Sequence, residues 1–267
     1  METLTQAGRK FYGVCLAGLG IQQIIHADFI PVILPAWPAW IPGGAVWAYL
    51  TGAALIIIGA AMFIEKHGRT IALITGGLFL LLFALCHTPH LLIVNPYSSH
   101  LGTWTNALKM LALSGGAFVV AGSYPNNEIS IQSSRTKFLE RLIPFGRVFF
   151  SVTMIIFGID HFLYVEFVAA LVPDWIPWHL FWTYFAAIAL IGSGVTIILK
   201  IKLKLVGILL STMILLWFIL LHIPRAIADP FMNKGNEVTS AFQALGFSGI
   251  AFLIAFGARS SVNSGLK

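Results

Sequence analysis

Charged residues are scarce in this chain: they make up 10% of its 267 residues, whereas hydrophobic residues make up 58%. Ordinary soluble domains carry about 25% charged residues. A chain with so little charge cannot cover its surface with hydrated side chains, so its solvent is expected to be lipid. The composition therefore excludes an ordinary soluble enzyme and predicts an integral membrane protein.

Cysteine and the common catalytic motifs are also lacking. Only Cys15 and Cys86 occur, both in apolar runs and without a C-x-x-C pair, which excludes a disulfide framework and a thiol redox motif. No H-E-x-x-H, P-loop, G-x-S-x-G or Rossmann glycine motif is present. No metal site is predicted, and haem is not expected because the spacing of the histidines is not diagnostic.

Long apolar runs are what the chain has instead, and a membrane helix needs roughly 20 such residues. The runs lie at about 11–30, 45–64, 70–88, 104–122, 147–168, 180–199, 203–223 and 239–257. Because backbone groups in hydrocarbon must be satisfied within the segment, each run is expected to be a helix. The first follows Arg9 and Lys10 as a signal peptide would, but no small-residue cleavage site follows it, so we expect it to be retained.

The two halves of the chain resemble each other. At an offset of 138 the matches are Gly8 with Gly146, Arg9 with Arg147, Gly20 with Gly158, Pro35 with Pro173 and Trp37 with Trp175. After two short slips, the matches include Gly59 with Gly194, His87 with His222, Ser114 with Ser248 and Gly115 with Gly249. This self-similarity predicts an all-α membrane protein of eight transmembrane helices, arranged as two parallel four-helix repeats at 1–122 and 147–267.

The stretch 123–146 joins the repeats. Its second half, from Arg135 to Arg141, is basic and amphipathic. It is expected to be a cytoplasmic linker, and two alternatives stay open: a segment on the lipid surface or a solvated loop.

Basic residues indicate the orientation in the membrane. Only Arg225 and Lys234 fall in loops on one side, and Lys109 lies inside a span. The other thirteen are Arg9, Lys10, Lys66, Arg69, Arg135, Lys137, Arg141, Arg147, Lys200, Lys202, Lys204, Arg259 and Lys267. This bias predicts a multi-pass protein of the inner (plasma) membrane with both termini in the cytoplasm. It also explains the net charge of +6 without a nucleic-acid partner.

Titratable groups gather on the outer side, at the ends of the first, third, fifth and seventh helices. Polar groups at membrane depth are costly, so they are read as functional by default. The predicted catalytic residues are His161, Glu166, Asp160 and Arg225. The predicted pocket residues are His26, Asp28, Gln23, His87, His90, His222, Lys109 and Asn106. The alternative is a set of polar plugs that tie helix ends together by hydrogen bonds.

Two short motifs resemble those of DoxX-type (DoxX/DoxD-like) membrane proteins. Gly158-Ile159-Asp160-His161-Phe162 is similar to that family's Gly-x-x-His-Phe signature at the end of a first helix, and Asn106-Ala107-Leu108-Lys109 to the Asn-x-x-Lys opening of its fourth helix. Each motif is intact in only one half, since Gln23 replaces His161 and Gln243 replaces Lys109. The resemblance therefore implies a single composite site or none. It also implies a quinone-linked oxidoreductase subunit, as some members of the family are.

Three functions are therefore considered. The first is a quinone-linked or redox-associated membrane subunit, with quinone as cofactor and a periplasmic or membrane redox partner. The second is a small-molecule or proton-coupled transporter. The third is a non-catalytic membrane scaffold for a partner enzyme. In each case the lipid bilayer is the surrounding solvent.

Overall fold

The computed structural model describes residues 2–37, 40–125 and 134–257, and this part of the chain is helical with no strand. The helices are α1 (Glu2–His26), α2 (Gly44–Ile64), α3 (Gly68–Leu82), α4 (Thr105–Ser123), α5 (Ser134–Glu140), α6 (Ile143–Leu163), α7 (Val165–Ala169), α8 (His179–Ile198), α9 (Leu203–Trp217), α10 (Ile223–Ala228) and α11 (Met232–Gly257). The all-helical prediction is confirmed.

Two of these helices continue through wider turns. Helix α3 runs on through π-helical turns at Phe83–His87 and His90–Val94, and α9 runs through another at Phe218–His222 into α10. A 3₁₀ turn at Leu101–Trp104 leads into α4. The helices therefore extend past several of the predicted spans, which stopped near the prolines.

Seven stretches of the described chain are long and apolar enough to cross a membrane. They are Gly44–Ile64, Gly68–Val94, Leu101–Ser123, Ile143–Leu163, His179–Ile198, Leu203–Ala228 and Met232–Gly257. Helix α1, predicted as the first of eight spans, is not among them, because Arg9 and Lys10 lie near one end and Gln22 and Gln23 near the other. The composition of the other seven is compatible with a multi-pass membrane protein.

Glycines let neighbouring helices pack backbone to backbone. On α1, a Cβ atom on Gly20 would lie 2.4 Å from the carbonyl oxygen of Gly52 on α2. On α8, a Cβ on Gly194 would lie 2.7 Å from the carbonyl oxygen of Ser151 on α6. Close approach of this kind stabilises helix pairs in lipid, where no hydrophobic force draws them together.

The same contact also joins the two halves of the chain. Gly8 on α1 lies against Gly249 on α11, and Gly146 on α6 lies against Gly115 on α4; an added Cβ would come within 3.0 and 2.6 Å of the facing carbonyl oxygens. Helices α4 and α11 also pack against each other, and they are the most buried of the apolar spans. They form the centre of the bundle.

The proline-rich segment after α1 folds back onto the bundle. Ile30 and Val32 are buried, although residues 27–37 form turns and no helix. Val172 and Ile176 are buried in the same way after α7. These segments bury apolar side chains over the helix ends.

The described part of the linker packs on the bundle. Leu139 of α5 contacts α3 so closely that a Cβ on Gly77 would lie 2.8 Å from it, and Arg69 forms an ion pair with Glu140 at 3.4 Å. Residues 126–133 of the predicted linker, and the side chain of Arg135, lie outside the part that the structure describes.

Candidate functional site

Neighbouring helices run antiparallel, so the polar residues predicted from the sequence come to one end of the bundle. We call this the polar end: α1, α6 and the continued α3 and α9 finish there, and α2, α4, α8 and α11 begin there. The opposite end, which we call the basic end, carries Arg9, Arg69 and the other basic residues of the helix connections on that side. Within the polar end the structure separates two groups of side chains.

The first group, the charged cluster, consists of Lys109, His222, Arg225 and Glu237. The Arg225 guanidinium donates two hydrogen bonds to the Glu237 carboxylate, from Nε to Oε2 at 2.8 Å and from Nη2 to Oε1 at 2.9 Å. Such a two-pronged pair fixes both side chains in direction as well as in distance. Lys109 on α4 and His222 at the end of the π-helical turn both lie within electrostatic range of Glu237.

The second group, the neutral groove, lies between α1 and α11 and consists of Gln22, His26, Thr239 and Gln243. Gln22 and His26 contact Gly235, where an added Cβ would lie 2.3 Å from Gln22 Oε1 and 2.8 Å from His26 Nε2. Thr239 and Gln243 follow at intervals of four residues along α11, so they lie one and two turns deeper on nearly the same face.

Further contacts show that this face of α11 meets α1. Phe242 packs on Gly18, where a Cβ would lie 2.3 Å from the ring, and Gly246 contacts Cys15. Phe242 and Gly246 follow Thr239 and Gln243 by three residues, so Thr239 and Gln243 lie beside the surface of α11 that contacts α1.

Buried polar atoms without partners are concentrated in this groove. Gln22, Thr239 and Gln243 are 6%, 3% and 2% exposed. Within the described part of the chain, Gln22 Oε1, His26 Nε2, Thr239 Oγ1 and both amide atoms of Gln243 are buried and have no hydrogen-bond partner. Leaving one such group unsatisfied costs about 1–3 kcal/mol. A set of this size indicates a place for a hydrogen-bonding occupant.

A strained turn covers the outer end of the groove. Asn233, Lys234 and Gly235 are all left-handed, with φ of 49°, 57° and 67°. Non-glycine residues rarely adopt this conformation, and such strain clusters at ligand clamps and switch regions. Lys234 forms an ion pair with Asp28, which follows α1, and this pair holds the turn against the α1 end.

The predicted pocket residues outside these groups are used in packing to different degrees. Gln23 donates from Nε2 to Thr51 Oγ1 at 2.8 Å and to the Ala48 carbonyl at 3.2 Å, which ties α1 to α2. His87 lies 3.1 Å from the Val32 carbonyl through Nε2, which joins α3 to the segment after α1. These two contacts tie helix ends together by hydrogen bonds, as in the alternative considered in the sequence analysis. His90 and Asn106 are partly buried.

Among the described residues, no hydrogen bond or ion pair is observed between the residues predicted to be catalytic. His161 donates from Nδ1 to the Phe157 carbonyl of its own helix at 2.7 Å. Asp160 has a buried Oδ1 without a partner among the described residues, and Glu166 is exposed in the first turn of α7. Arg225 forms its ion pair with Glu237.

Glu237, Thr239 and Gln243 are not among the site residues that the sequence predicts. The available signal for Gln243 was the internal repeat, because it stands at the position that matches Lys109. Thr239 likewise matches Thr105, and neither threonine stands out from a sequence alone. Glu237 was visible only as one of several acids on the outer side.

Two other surfaces fall outside these groups. A shallow depression is lined by Trp178, His179, Leu180 and Phe181, and a second lies along Lys202–Leu205. Within the described residues, no group of three or more His, Cys, Asp or Glu side chains is placed to hold a metal ion.

Comparison of the chain with protein-family models, with curated proteins and with solved structures gives no match. The site is therefore interpreted from its own geometry.

Proposed function

We propose that the protein is a membrane-embedded, redox-associated subunit that binds the head group of a quinone in the neutral groove, within a bundle of eight spans built by tandem duplication. The observation that carries the binding proposal is the set of buried, unpartnered donors and acceptors on Gln22, His26, Thr239 and Gln243. An oxidised quinone head group is uncharged and presents carbonyl acceptors to the Thr239 hydroxyl and the Gln243 amide nitrogen, and the reduced quinol presents hydroxyl donors to the amide oxygens of Gln22 and Gln243.

Recurrent helix contacts support the duplication. The Gly8–Gly249 contact is matched by Gly146–Gly115, with the two halves exchanged. Ser114 donates to the Gly76 carbonyl at 2.8 Å, and at the matching positions Ser248 donates to the Ser211 carbonyl at 3.0 Å. Helices α1–α4 therefore correspond to α6, α8, α9 and α11, related by an axis along the bundle.

Helix α1 is the eighth span in this proposal. It packs along α2 through Gly13 and Gly20 and along α11 through Gly8 and Gly18. Its buried residues run from Gly8 to Gln23, so its polar groups face the interior and Ile21 and Ile25 face outward. A helix held between two apolar spans over this length crosses the same layer as they do.

The basic end faces the cytoplasm in this proposal, since Lys and Arg residues are retained on that side. A protease-sensitive tag fused after Lys267 is expected to resist protease added to intact spheroplasts and to be cleaved in inverted membrane vesicles. Cleavage in spheroplasts would reverse the orientation and place the polar end in the cytoplasm.

The DoxX-type resemblance supports a redox role for the same end of the bundle. His161 and Lys109, which carry the two motifs, lie on α6 and α4 at the polar end. In this reading Asp160 and Glu166, together with His161, remain candidates for proton exchange with the partner enzyme, and the exposed Glu166 is the most accessible to it. Arg225 is a candidate for orienting an acid.

Quinone content tests the binding proposal. Protein purified in mild detergent and extracted with hexane is expected to yield quinone, detected by chromatography with absorbance. Gln243→Leu and Thr239→Val should lower the quinone-to-protein ratio about tenfold each, because each removes a buried hydrogen-bonding partner of the head group.

Thr196→Val is the matched control, since the Thr196 hydroxyl bonds the Gly192 carbonyl of its own helix at 2.7 Å. Its quinone content is expected to equal that of the unaltered protein. Equal content in all three variants, or no quinone in the unaltered protein purified from a quinone-containing membrane, would remove the basis of the proposal.

A carrier is the second candidate, and interrupted helices favour it. Helix α3 is interrupted by π-helical turns around Pro89, α9 by another ahead of Pro224, and α11 begins with the left-handed turn at Asn233–Gly235. π-Helical turns inside a helix frequently occur at functional sites. Uptake of a solute into liposomes, driven by an imposed pH gradient and absent from protein-free liposomes, would favour this function.

A further inference from the structure

Lys109 carries a positive charge that the structure leaves without a direct counter-ion. It lies five residues into α4, inside the stretch Leu101–Ser123 that is apolar enough to span a membrane. Among the described residues it forms no ion pair; the four pairs present are Arg9–Glu65, Arg69–Glu140, Arg225–Glu237 and Lys234–Asp28. A charge at membrane depth is retained only when something else stabilises it.

The neighbouring acids belong to Arg225 instead. Both carboxylate oxygens of Glu237 accept hydrogen bonds from Arg225, and Asp229 also lies within electrostatic range of that guanidinium. Glu237 lies within range of Lys109 but not in contact with it. Both acids are therefore oriented by Arg225, and among the described residues Lys109 has no carboxylate in direct contact with it.

A second unsatisfied donor faces the same cluster. His222 Nδ1 is buried and has no hydrogen-bond partner among the described residues. His222 lies within electrostatic range of Lys109 as well as of Glu237 and Arg225. Lys109 as a whole residue is partly buried.

We propose that Lys109 and His222 form a binding site for a small monovalent anion, of the carboxylate or halide class. The Lys109 ammonium supplies the charge, and His222 donates from Nδ1. This site is separate from the neutral groove and does not rest on the proposed quinone function. It is confined to one half of the molecule, because the position that matches Lys109 is Gln243.

Chloride is the probe, since its ³⁵Cl resonance broadens on binding and narrows when a competitor displaces it. The full-length protein in detergent is expected to broaden the line in a saturable manner at constant ionic strength, and sodium formate should reverse the broadening. Lys109→Gln, which installs the residue of the matching position, should weaken chloride binding about tenfold to a hundredfold, the range for a charge-assisted hydrogen bond. His222→Gln should weaken it less.

Lys66→Gln is the control, because Lys66 follows α2 at the basic end. It should bind chloride as the unaltered protein does. Melting curves in chloride-free sodium isethionate establish whether each variant is folded.

Two results would overturn the proposal. One is the absence of saturable broadening in the unaltered protein, a measurement that needs no variant. The other is broadening that survives in folded Lys109→Gln and is lost in Lys66→Gln, which would move the anion to the basic end.

Discussion

Gly194→Leu is expected to destabilise the protein by about 3 kcal/mol or more, the upper range for forcing a larger side chain into a packed contact. A Cβ at this position on α8 would lie 2.7 Å from the Ser151 carbonyl oxygen and 2.6 Å from Ile155 Cγ1 on α6. The carbonyl belongs to the helix backbone, so the clash cannot be relieved by rotating a side chain. Unfolding in increasing SDS, followed by tryptophan fluorescence, measures the change.

Gly192→Leu supplies the control on the same helix. An added Cβ there meets no atom within 4 Å. In lipid the leucine side chain should be neutral or favourable, and the unfolding midpoint should move little. Equal destabilisation by both substitutions would mean that the loss comes from the helix itself and not from the α6–α8 contact.

The matching contact in the other half extends this test. Gly59→Leu brings a Cβ to 2.4 Å from the Gly13 carbonyl oxygen on α1. We expect an effect at least as large as that of Gly194→Leu, because the space is tighter. A protein in which Gly59→Leu is tolerated would not hold α1 as a span between α2 and α11.

The helix order could be predicted from the sequence because apolar runs of span length have few alternative structures. The two helix ends at Pro89 and Pro224 could not, since a proline predicts only that the regular pattern is interrupted. In the structure the chain widens into π-helical turns there and continues to Val94 and Ala228. How the backbone re-forms its hydrogen bonds around each proline depends on the neighbouring helices.

The sequence could predict at which depth of the membrane the site lies, but not which side chains contact each other there. Because successive spans cross the membrane in alternating directions, the sequence places His26, His222 and Lys109 at one end of the bundle. The structure also places them there. The pairing of Arg225 with Glu237 depends on the left-handed turn at Asn233–Gly235, and two of its three residues are not glycines that would mark such a backbone. Gln243 could not be predicted as a site residue, because the sequence does not show that its amide is buried without a hydrogen-bond partner.

Arg9 is the second position where a large effect is expected, because one side chain joins the ends of three helices. It is 3% exposed and donates to Glu65 Oε1 at 3.1 Å, to Ser123 Oγ at 2.9 Å and to the Ser123 carbonyl at the end of α4. It also lies over the Tyr124 ring, 4.0 Å from the centroid. A cation at this place stabilises the negative end of the α4 dipole as well as Glu65.

Arg9→Leu should therefore cost about 3 kcal/mol, the low end for breaking a buried pair, because Glu65 is 23% exposed and keeps part of its hydration. Arg147→Leu is the control at the matching position of the second half, since Arg147 forms no ion pair with any described residue. It should change the unfolding free energy by less than about 1 kcal/mol. In the double variant Arg9→Leu/Glu65→Leu, part of the loss should be recovered, because no carboxylate is then left without its cation. A double variant as unstable as the sum of the two single ones would show that Arg9 acts through α4 alone and that the pair with Glu65 contributes nothing.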